Sequence, residues 1–242
     1  MQLSGKNAIV TGGDKGIGRA ISIALANNGV NVCVNFYKDE YKAQETVDKL
    51  KRIGIKAIKI QADIREFVQV EDMVKIVKEK FGSIHILINN AGISGENSAI
   101  KNISIAEWKD VIDVNLTGVF NCCKVAEEEL KKNNGKIINI SSIAGKMGGT
   151  IGCHYAASKA GVIGLTFSLA NELAPEVTVN AIAPGPVDTE LLSPEIKERL
   201  SLQTPFKRIA RPEEIAHTVI YLLENDYVSG EVIDVNAGRY MD

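Results

Sequence analysis

Several features are missing from this sequence, and each absence excludes something. No apolar run among the 242 residues reaches the roughly 18–20 that a membrane-crossing helix needs. Charge of one sign is not in excess. Lys and Arg number 28 against 30 Asp and Glu, for a net charge of -2, so a general nucleic-acid-binding surface is not expected. Only four cysteines occur, at 33, 122, 123 and 153, with no CxxC pair. That is neither a disulfide framework nor a zinc pattern. The three histidines, His85, His154 and His217, do not make a metal-ligand spacing. There is no low-complexity stretch, short repeat or linker. The first residues lack a charged start followed by a long apolar stretch, so no signal peptide is expected, and a reducing cytoplasm is the expected location.

What is present is ordinary for a folded chain. Hydrophobic residues make up 45% and charged residues 24%. A chain of this length buries about 70–75% of its extended surface, which makes a sizeable core. One domain over residues 1–242 is expected.

The order of elements carries the next inference. β-rich runs at 7–10, 30–36, 57–61, 85–89, 136–140, 178–183 and 231–235 alternate with helical patterns. Those lie at 17–27, 39–52, 68–81, 106–128 (read as one long helix), 155–173 and 212–223. Runs such as Ile86-Leu87-Ile88 and Ile137-Ile138 are apolar at consecutive positions, as in strands buried on both faces. The expectation is a doubly wound α/β fold of the Rossmann type, with a parallel sheet of about seven strands between helices. Ligands in such sheets sit beyond the carboxyl ends of the strands, where the strand order switches.

Two constellations fall at those ends. After the first strand comes Thr11-Gly12-Gly13-Asp14-Lys15-Gly16-Ile17-Gly18. Glycines there let backbone approach a ligand, and the helix that follows offers unpaired N–H groups to a pyrophosphate. The second strand ends Val34-Asn35-Phe36-Tyr37-Lys38, without the acid that would hold the ribose 2′-OH of NAD. Lys15 and Lys38 could instead meet a 2′-phosphate, so NADPH/NADP is expected as cofactor, with NAD left open. The fifth strand delivers Ser141-Ser142. Thirteen residues beyond Ser142 lies Tyr155, with Lys159 at i+4 on the same helical face. A nearby ammonium is expected to lower the phenol pKa toward the range of a general acid/base, and Ser142 can hold a carbonyl oxygen.

Taken together, TGxxxGIG at 11–18, Asn89-Asn90-Ala91-Gly92, Asn115, Ser142, Tyr155-Ala156-Ala157-Ser158-Lys159 and Pro184-Gly185 resemble the short-chain dehydrogenase/reductase family, in its motif order and over essentially the whole chain. The tail from Arg208 through Arg211-Pro212-Glu213-Glu214 to Ser229-Gly230 resembles the branch that reduces 3-oxoacyl groups on an acyl carrier protein. The resemblance implies that Tyr155 protonates the substrate oxygen and Lys159 holds the nicotinamide ribose. It implies that Ser142 orients the carbonyl and that Asn115 holds a water leading from Lys159 to solvent. It places Gly12, Gly16 and Ile17 on the pyrophosphate, Asp63 and Ile64 beside adenine, Asn89, Ala91 and Gly92 near the ribose, and Pro184, Gly185 and Thr189 at the nicotinamide end. A homotetramer is implied as well. The 106–128 and 155–173 helices would pair across one two-fold, and residues 235–242 across another.

The substrate stays open. A carrier protein is acidic and would need a basic landing surface near the mouth, for which Lys131 and Lys132 are candidates despite Glu127-Glu128-Glu129 before them. Two departures from the branch, Gly152 where it carries glutamine and Asn171-Glu172 where it carries a docking arginine, keep a sugar, a steroid or another secondary alcohol in view. A silent dinucleotide-binding regulator is the third reading. A lid is expected at 186–209, with Leu191, Leu192, Leu200 and Leu202 as an apolar wall. His154 is read as a rim or interface residue, Cys122 and Cys123 as packing, and Cys153 as a thiol near the site. The glycosylation patterns at Asn115 and Asn139 are discounted because they fall inside regular elements.

Overall fold

The computed structural model describes residues 1–96, 98–149, 151–190 and 192–241. Seven parallel strands form one sheet in the order β3-β2-β1-β4-β5-β6-β7. They are β1 (Asn7–Val10), β2 (Asn31–Phe36), β3 (Ala57–Gln61), β4 (Ile86–Asn89), β5 (Lys136–Ile140), β6 (Thr178–Pro184) and β7 (Val232–Val235). β1 pairs with β2 on one side and β4 on the other, so Val10 is in register with both Val34 and Ile88. The order reverses between β1 and β4, which opens a crevice at their carboxyl ends.

The central strands β1, β4 and β5 are buried on both faces, and the side chains that alternate along them feed two apolar clusters. Ala8, Val10, Ile86, Ile88, Ile138 and Ile140 join one apolar cluster. Ile9, Leu87 and Ile137 join the other. The first cluster is completed by residues of α1 (Gly16–Asn27), α2 (Glu40–Ile53) and α9 (Pro212–Glu224). The second is completed by α3 (Phe67–Phe81), α5 (Gly118–Lys132) and α7 (Cys153–Glu172). Local signals set the helix ends. Asp39 caps α2 by accepting Lys42 N–H at 3.0 Å, and Gly54 at φ 105° ends it.

The long helix expected over 106–128 is two helices. α4 (Ile105–Ile112) and α5 are joined by a π turn, Asp113–Thr117, in which Gly118 N–H bonds the Asp113 carbonyl. The extra residue shifts the helical phase by about 100°. Asn115 is thereby turned inward and fully buried, while Val119, Cys122, Ala126 and Leu130 keep their face on the sheet. Two short helices were not legible in the sequence: α6 (Ala144–Met147), and α8 (Pro194–Leu202) inside the expected lid. No residue of α8 is buried. Leu192 and Leu200 are half-buried and Leu202 is exposed, so the apolar wall is only partly formed, and Leu191 lies outside the described residues. Asp242, at the end of the expected second two-fold, also lies outside them.

Candidate active site

The glycine turn is assembled by side chains from neighbouring strands. Thr11 Oγ1 accepts the N–H groups of Asn90 at 2.9 Å and Ala91 at 3.0 Å. Asn90 Nδ2 donates to the carbonyls of Thr11 and Gly12, each at 3.0 Å. Asn35, at the end of β2, accepts the Gly13 N–H on its carbonyl at 3.0 Å and donates from Nδ2 to the Ala62 carbonyl at 3.0 Å. Asn35 therefore serves the turn. Asn90 and Asn35 have this role only once three strands lie side by side.

The turn is a cradle that Cβ atoms would fill. Gly12 and Gly16 have φ of 58° and 52°, the left-handed region that favours glycine. A Cβ on Gly12 would lie 3.1 Å from Ala91 Cα, and one on Gly16 would lie 3.3 Å from Thr189 Cγ2. Thr189 thus closes over the start of α1. No side chain caps the N-terminus of α1 and no acid lies in its first turn, so its leading N–H groups remain available for an anion. Ile17 follows in that first turn. Lys15 is half-buried at the N-cap, and Lys38 is exposed, 5.2 Å from the Tyr37 ring centroid.

At the adenine side, Asp63 is engaged by an unforeseen partner. Arg65 donates from Nε at 3.0 Å and from Nη2 at 2.6 Å to its carboxylate, and also pairs with Asp110 on α4. Burial pushes the Asp63 carboxyl up, but the Arg65 hydrogen bonds outweigh it and hold the group below the usual carboxylate range. Ile64 packs under Gly118, where a Cβ would come within 2.6 Å of Cδ1.

Asn89 sends its side chain away from the ligand edge. Nδ2 donates to Asn139 Oδ1 at 2.8 Å, and Asn139 Nδ2 donates to Thr166 Oγ1 at 2.9 Å. Only its backbone is left to face a ribose. Ala91 and Gly92 lie directly at the edge. A Cβ on Gly92 would sit 3.0 Å from Asn115 Oδ1 and 3.5 Å from Lys159 Nζ, so glycine there is what lets those two groups approach.

Ser142, Tyr155, Lys159 and Asn115 do converge. Ser142 stands near enough to the Tyr155 phenol to oppose the rise in its pKa, and its Oγ accepts Ala144 N–H at 3.1 Å. Lys159 Nζ lies 5.9 Å from the Tyr155 ring centroid and donates to the Ile140 carbonyl at 2.8 Å. Asn115 accepts Ile93 N–H on Oδ1 and donates from Nδ2 to the Ile93 carbonyl, both at 2.8 Å, and Nδ2 also donates to Ser158 Oγ at 3.0 Å. Ser158 Oγ donates in turn to the Tyr155 carbonyl at 2.8 Å. Beside them β6 ends in Pro184, whose carbonyl takes Ile143 N–H at 3.1 Å, while Gly185 N–H reaches the Val235 carbonyl at 2.9 Å.

The electrostatics correct one expectation. The Tyr155 phenol is raised above its ordinary value by burial, with the Ser142 hydrogen bond opposing, rather than lowered by an ammonium. Burial also brings the Lys159 amine down to about 8. Desolvation disfavours both charged forms, and it dominates here. Other expectations change as well. His154 is fully buried rather than on a rim. Lys131 and Lys132 end α5, one turn before β5 begins at Lys136, whereas Ser142 follows the other end of β5. They lie at the opposite edge of the sheet from the site, and Lys131 pairs with Glu127 at 2.6 Å.

The cysteine reading fits the structure. Cys33, Cys122 and Cys123 are buried, with thiols pushed up by burial, Cys123 to about 12. Cys153 is exposed at the start of α7. Asn115 and Asn139 are fully buried, out of reach of a glycosylating enzyme in the folded chain. No cluster of three metal-ligating side chains occurs among the described residues.

Known proteins share this architecture. The sequence pattern of the family described as short chain dehydrogenase matches residues 6–200. A 3-oxoacyl-[acyl-carrier-protein] reductase of Staphylococcus epidermidis is 43% identical over 98% of this chain and 99% of its own length. One from Staphylococcus aureus is 44% identical over 98% of each chain. One from Vibrio cholerae is 40% identical over 100% of each. A crystal structure of a short chain dehydrogenase from Burkholderia cenocepacia in complex with NADP superposes with a TM-score of 0.93, at 31% identity and 99% coverage of both chains.

Proposed function

The chain belongs to the short chain dehydrogenase family, and on that premise we propose that it is an NADPH-dependent reductase of 3-oxoacyl thioesters. The observation that carries the reading is the Tyr155 phenol with Ser142 beside it and the buried Lys159 Nζ 5.9 Å from its ring centroid. It stands at the carboxyl ends of the strands, where such folds present chemistry.

The residues present fit the dinucleotide. Its pyrophosphate finds the cradle that a Cβ at Gly12, Gly16 or Gly18 would fill and the uncapped start of α1. Lys15 and Lys38 supply positive charge where no acid ends β2. When bound, NADPH supplies the hydride. Ser142 holds the substrate carbonyl oxygen by its hydroxyl. Tyr155 gives that oxygen a proton as charge develops on it. Its raised pKa keeps the phenol protonated near neutral pH, the form a proton donor needs. Lys159 restores the proton and contacts the ribose, and Asn115 holds the passage by which that proton is replaced from solvent. Residues 186–209 act as the substrate lid of this single domain.

The relatives named for carrier-protein substrates favour the thioester and an acyl carrier protein as partner. A free ketone, or the alcohol of a sugar or steroid, is the second reading. It is favoured by Lys131 and Lys132 lying at the far edge of the sheet. No helix among the described residues is long and apolar enough to cross a membrane, which accords with a cytoplasmic enzyme. Phe120 on α5 and Phe167 on α7, 45% and 50% exposed, are apolar surface suited to the two-fold of a homotetramer. The deciding experiment is NADPH oxidation with an acetoacetyl thioester, run beside glucose and a cyclic ketone. Turnover of the thioester alone supports the first reading. NADPH binding with turnover only of glucose or the cyclic ketone transfers the enzyme to the second.

A further inference from the structure

His154 is fully buried immediately before Tyr155, and nothing in the chemistry above uses it. Its Nε2 lies 3.1 Å from Glu107 Oε1 on α4. The same carboxylate oxygen accepts the Glu96 N–H at 2.6 Å. One oxygen therefore ties together three segments distant in sequence: α4, the first turn of α7, and the loop that follows β4. Glu107 is itself fixed, because Ser104 Oγ accepts its N–H at 3.1 Å. The Glu96 N–H and His154 hold its carboxyl below the usual range, so it is the ionised, stronger acceptor at neutral pH.

The space around the imidazole is shaped by two glycines. A Cβ on Gly95 would lie 2.5 Å from His154 Nε2 and 3.0 Å from Glu107 Oε1. A Cβ on Gly152 would lie 2.7 Å from His154 Nδ1. Nδ1 is buried with no hydrogen-bond partner among the described residues. An unsatisfied buried nitrogen is destabilising, so a smaller apolar residue would be the cheaper filling if packing were the only requirement.

The loop these groups hold runs from Gly92, beside Lys159 Nζ, through Ile93 and Ser94, both exposed, to Glu96. Its near end is fastened by Asn115, which takes both backbone groups of Ile93. Its far end is fastened by Glu107 and, through it, His154. We infer that His154 and Glu107 are positioning residues that clamp the loop at 93–96 to the first turn of α7, setting the distance between the rim of the substrate mouth and Tyr155. This inference rests on the reading of the site as a carbonyl reductase.

The test is Glu107→Ala beside Glu107→Gln, which keeps an acceptor oxygen for both N–H groups, in the full-length enzyme. Hydrogen exchange of the Glu96 amide is read without substrate. It is expected to rise at least about tenfold in the alanine variant and to stay near wild type in the glutamine variant. With NADPH and an acetoacetyl thioester, KM for the ketone is expected to rise about tenfold or more in the alanine variant and to recover in the glutamine variant. NADPH affinity, read by fluorescence, is expected to stay within about twofold, because Gly92, at the ribose edge, stays anchored through Ile93 to Asn115 in both variants. Unchanged exchange at Glu96 overturns the clamp. Faster exchange with an unchanged ketone KM, or a parallel loss of NADPH affinity, overturns its positioning role. A wild-type enzyme inactive on every ketone offered overturns both the reductase reading and that role, while exchange still decides the clamp.

Discussion

Lys159 Nζ stands 5.9 Å from the ring centroid of Tyr155, one helical turn along α7, and donates to the Ile140 carbonyl at 2.8 Å. The amine is thus held under the phenol by the end of β5, in surroundings dry enough to bring it down to about 8. The phenol, raised by the same burial, does not ionise before it. The alkaline limb of the pH profile for ketone reduction is therefore expected to begin near 8 and to belong to Lys159. A kcat/KM that holds steady to pH 10 would place the lysine in a wetter setting than the structure shows.

The same shift is a statement about stability. The folded pKa of Lys159 is below the ordinary lysine value of 10.5, so between about pH 8 and 10.5 the unfolded chain binds more protons, and stability rises with pH. Below that window both states are protonated and the folded state bears the full cost of a buried charge. Lys159→Met is expected to be inactive, yet more resistant to urea at pH 7 by on the order of 1–3 kcal/mol, with the gain shrinking toward pH 10. A variant less stable than wild type at pH 7 would contradict this.

Tyr155→Phe removes the proton donor and little else, because the ring keeps its packing. NADPH binding is expected to survive while kcat falls at least ~10²-fold. Steady-state rates paired with a fluorescence titration check both halves. An unchanged rate would remove Tyr155 from the mechanism.

Gly18 lies on the inner side of the cradle, where a Cβ would come within 2.5 Å of Asn90 Nδ2 and collide with the Gly12 carbonyl. The Gly12 carbonyl belongs to the turn, and Asn90, just past β4, holds it by a hydrogen bond. Gly18→Ala is expected to cost about 1–3 kcal/mol of stability and to abolish measurable NADPH binding, as read by thermal melting with and without the dinucleotide. Full binding in a stable variant would show that the turn has slack.

Selectivity for the 2′-phosphate is expected to rest on Lys15 and Lys38. Loss of charge-assisted hydrogen bonds worth about 1.5–3 kcal/mol each corresponds to roughly 10–100-fold in affinity. The double variant Lys15→Ala with Lys38→Ala is expected to raise the KM for NADPH by that factor or more and to leave the KM for NADH within about threefold. Equal KM values for the two cofactors in the wild type would dispose of the preference.

Much of this protein was determined by sequence alone, because the signals are local. Consecutive apolar residues in β4 and β5 announce strands buried on both faces. The glycines at 12, 16 and 18 mark the turn before α1. Tyr155 and Lys159 share a helical face through spacing. What only the tertiary structure decided depends on segments far apart in the chain, or on how much water they exclude. The π turn that rotates Asn115 inward answers to the loop at Ile93. Arg65 meets Asp110 only because the fold brings α4 beside the end of β3. His154 is interior because Gly95 and Gly152 make room and Glu107 meets it there. Lys131 and Lys132 are far from the mouth because β5 carries the chain across the sheet before Ser142. The phenol of Tyr155 is raised because desolvation, which no spacing of residues encodes, outweighs the influence of Ser142.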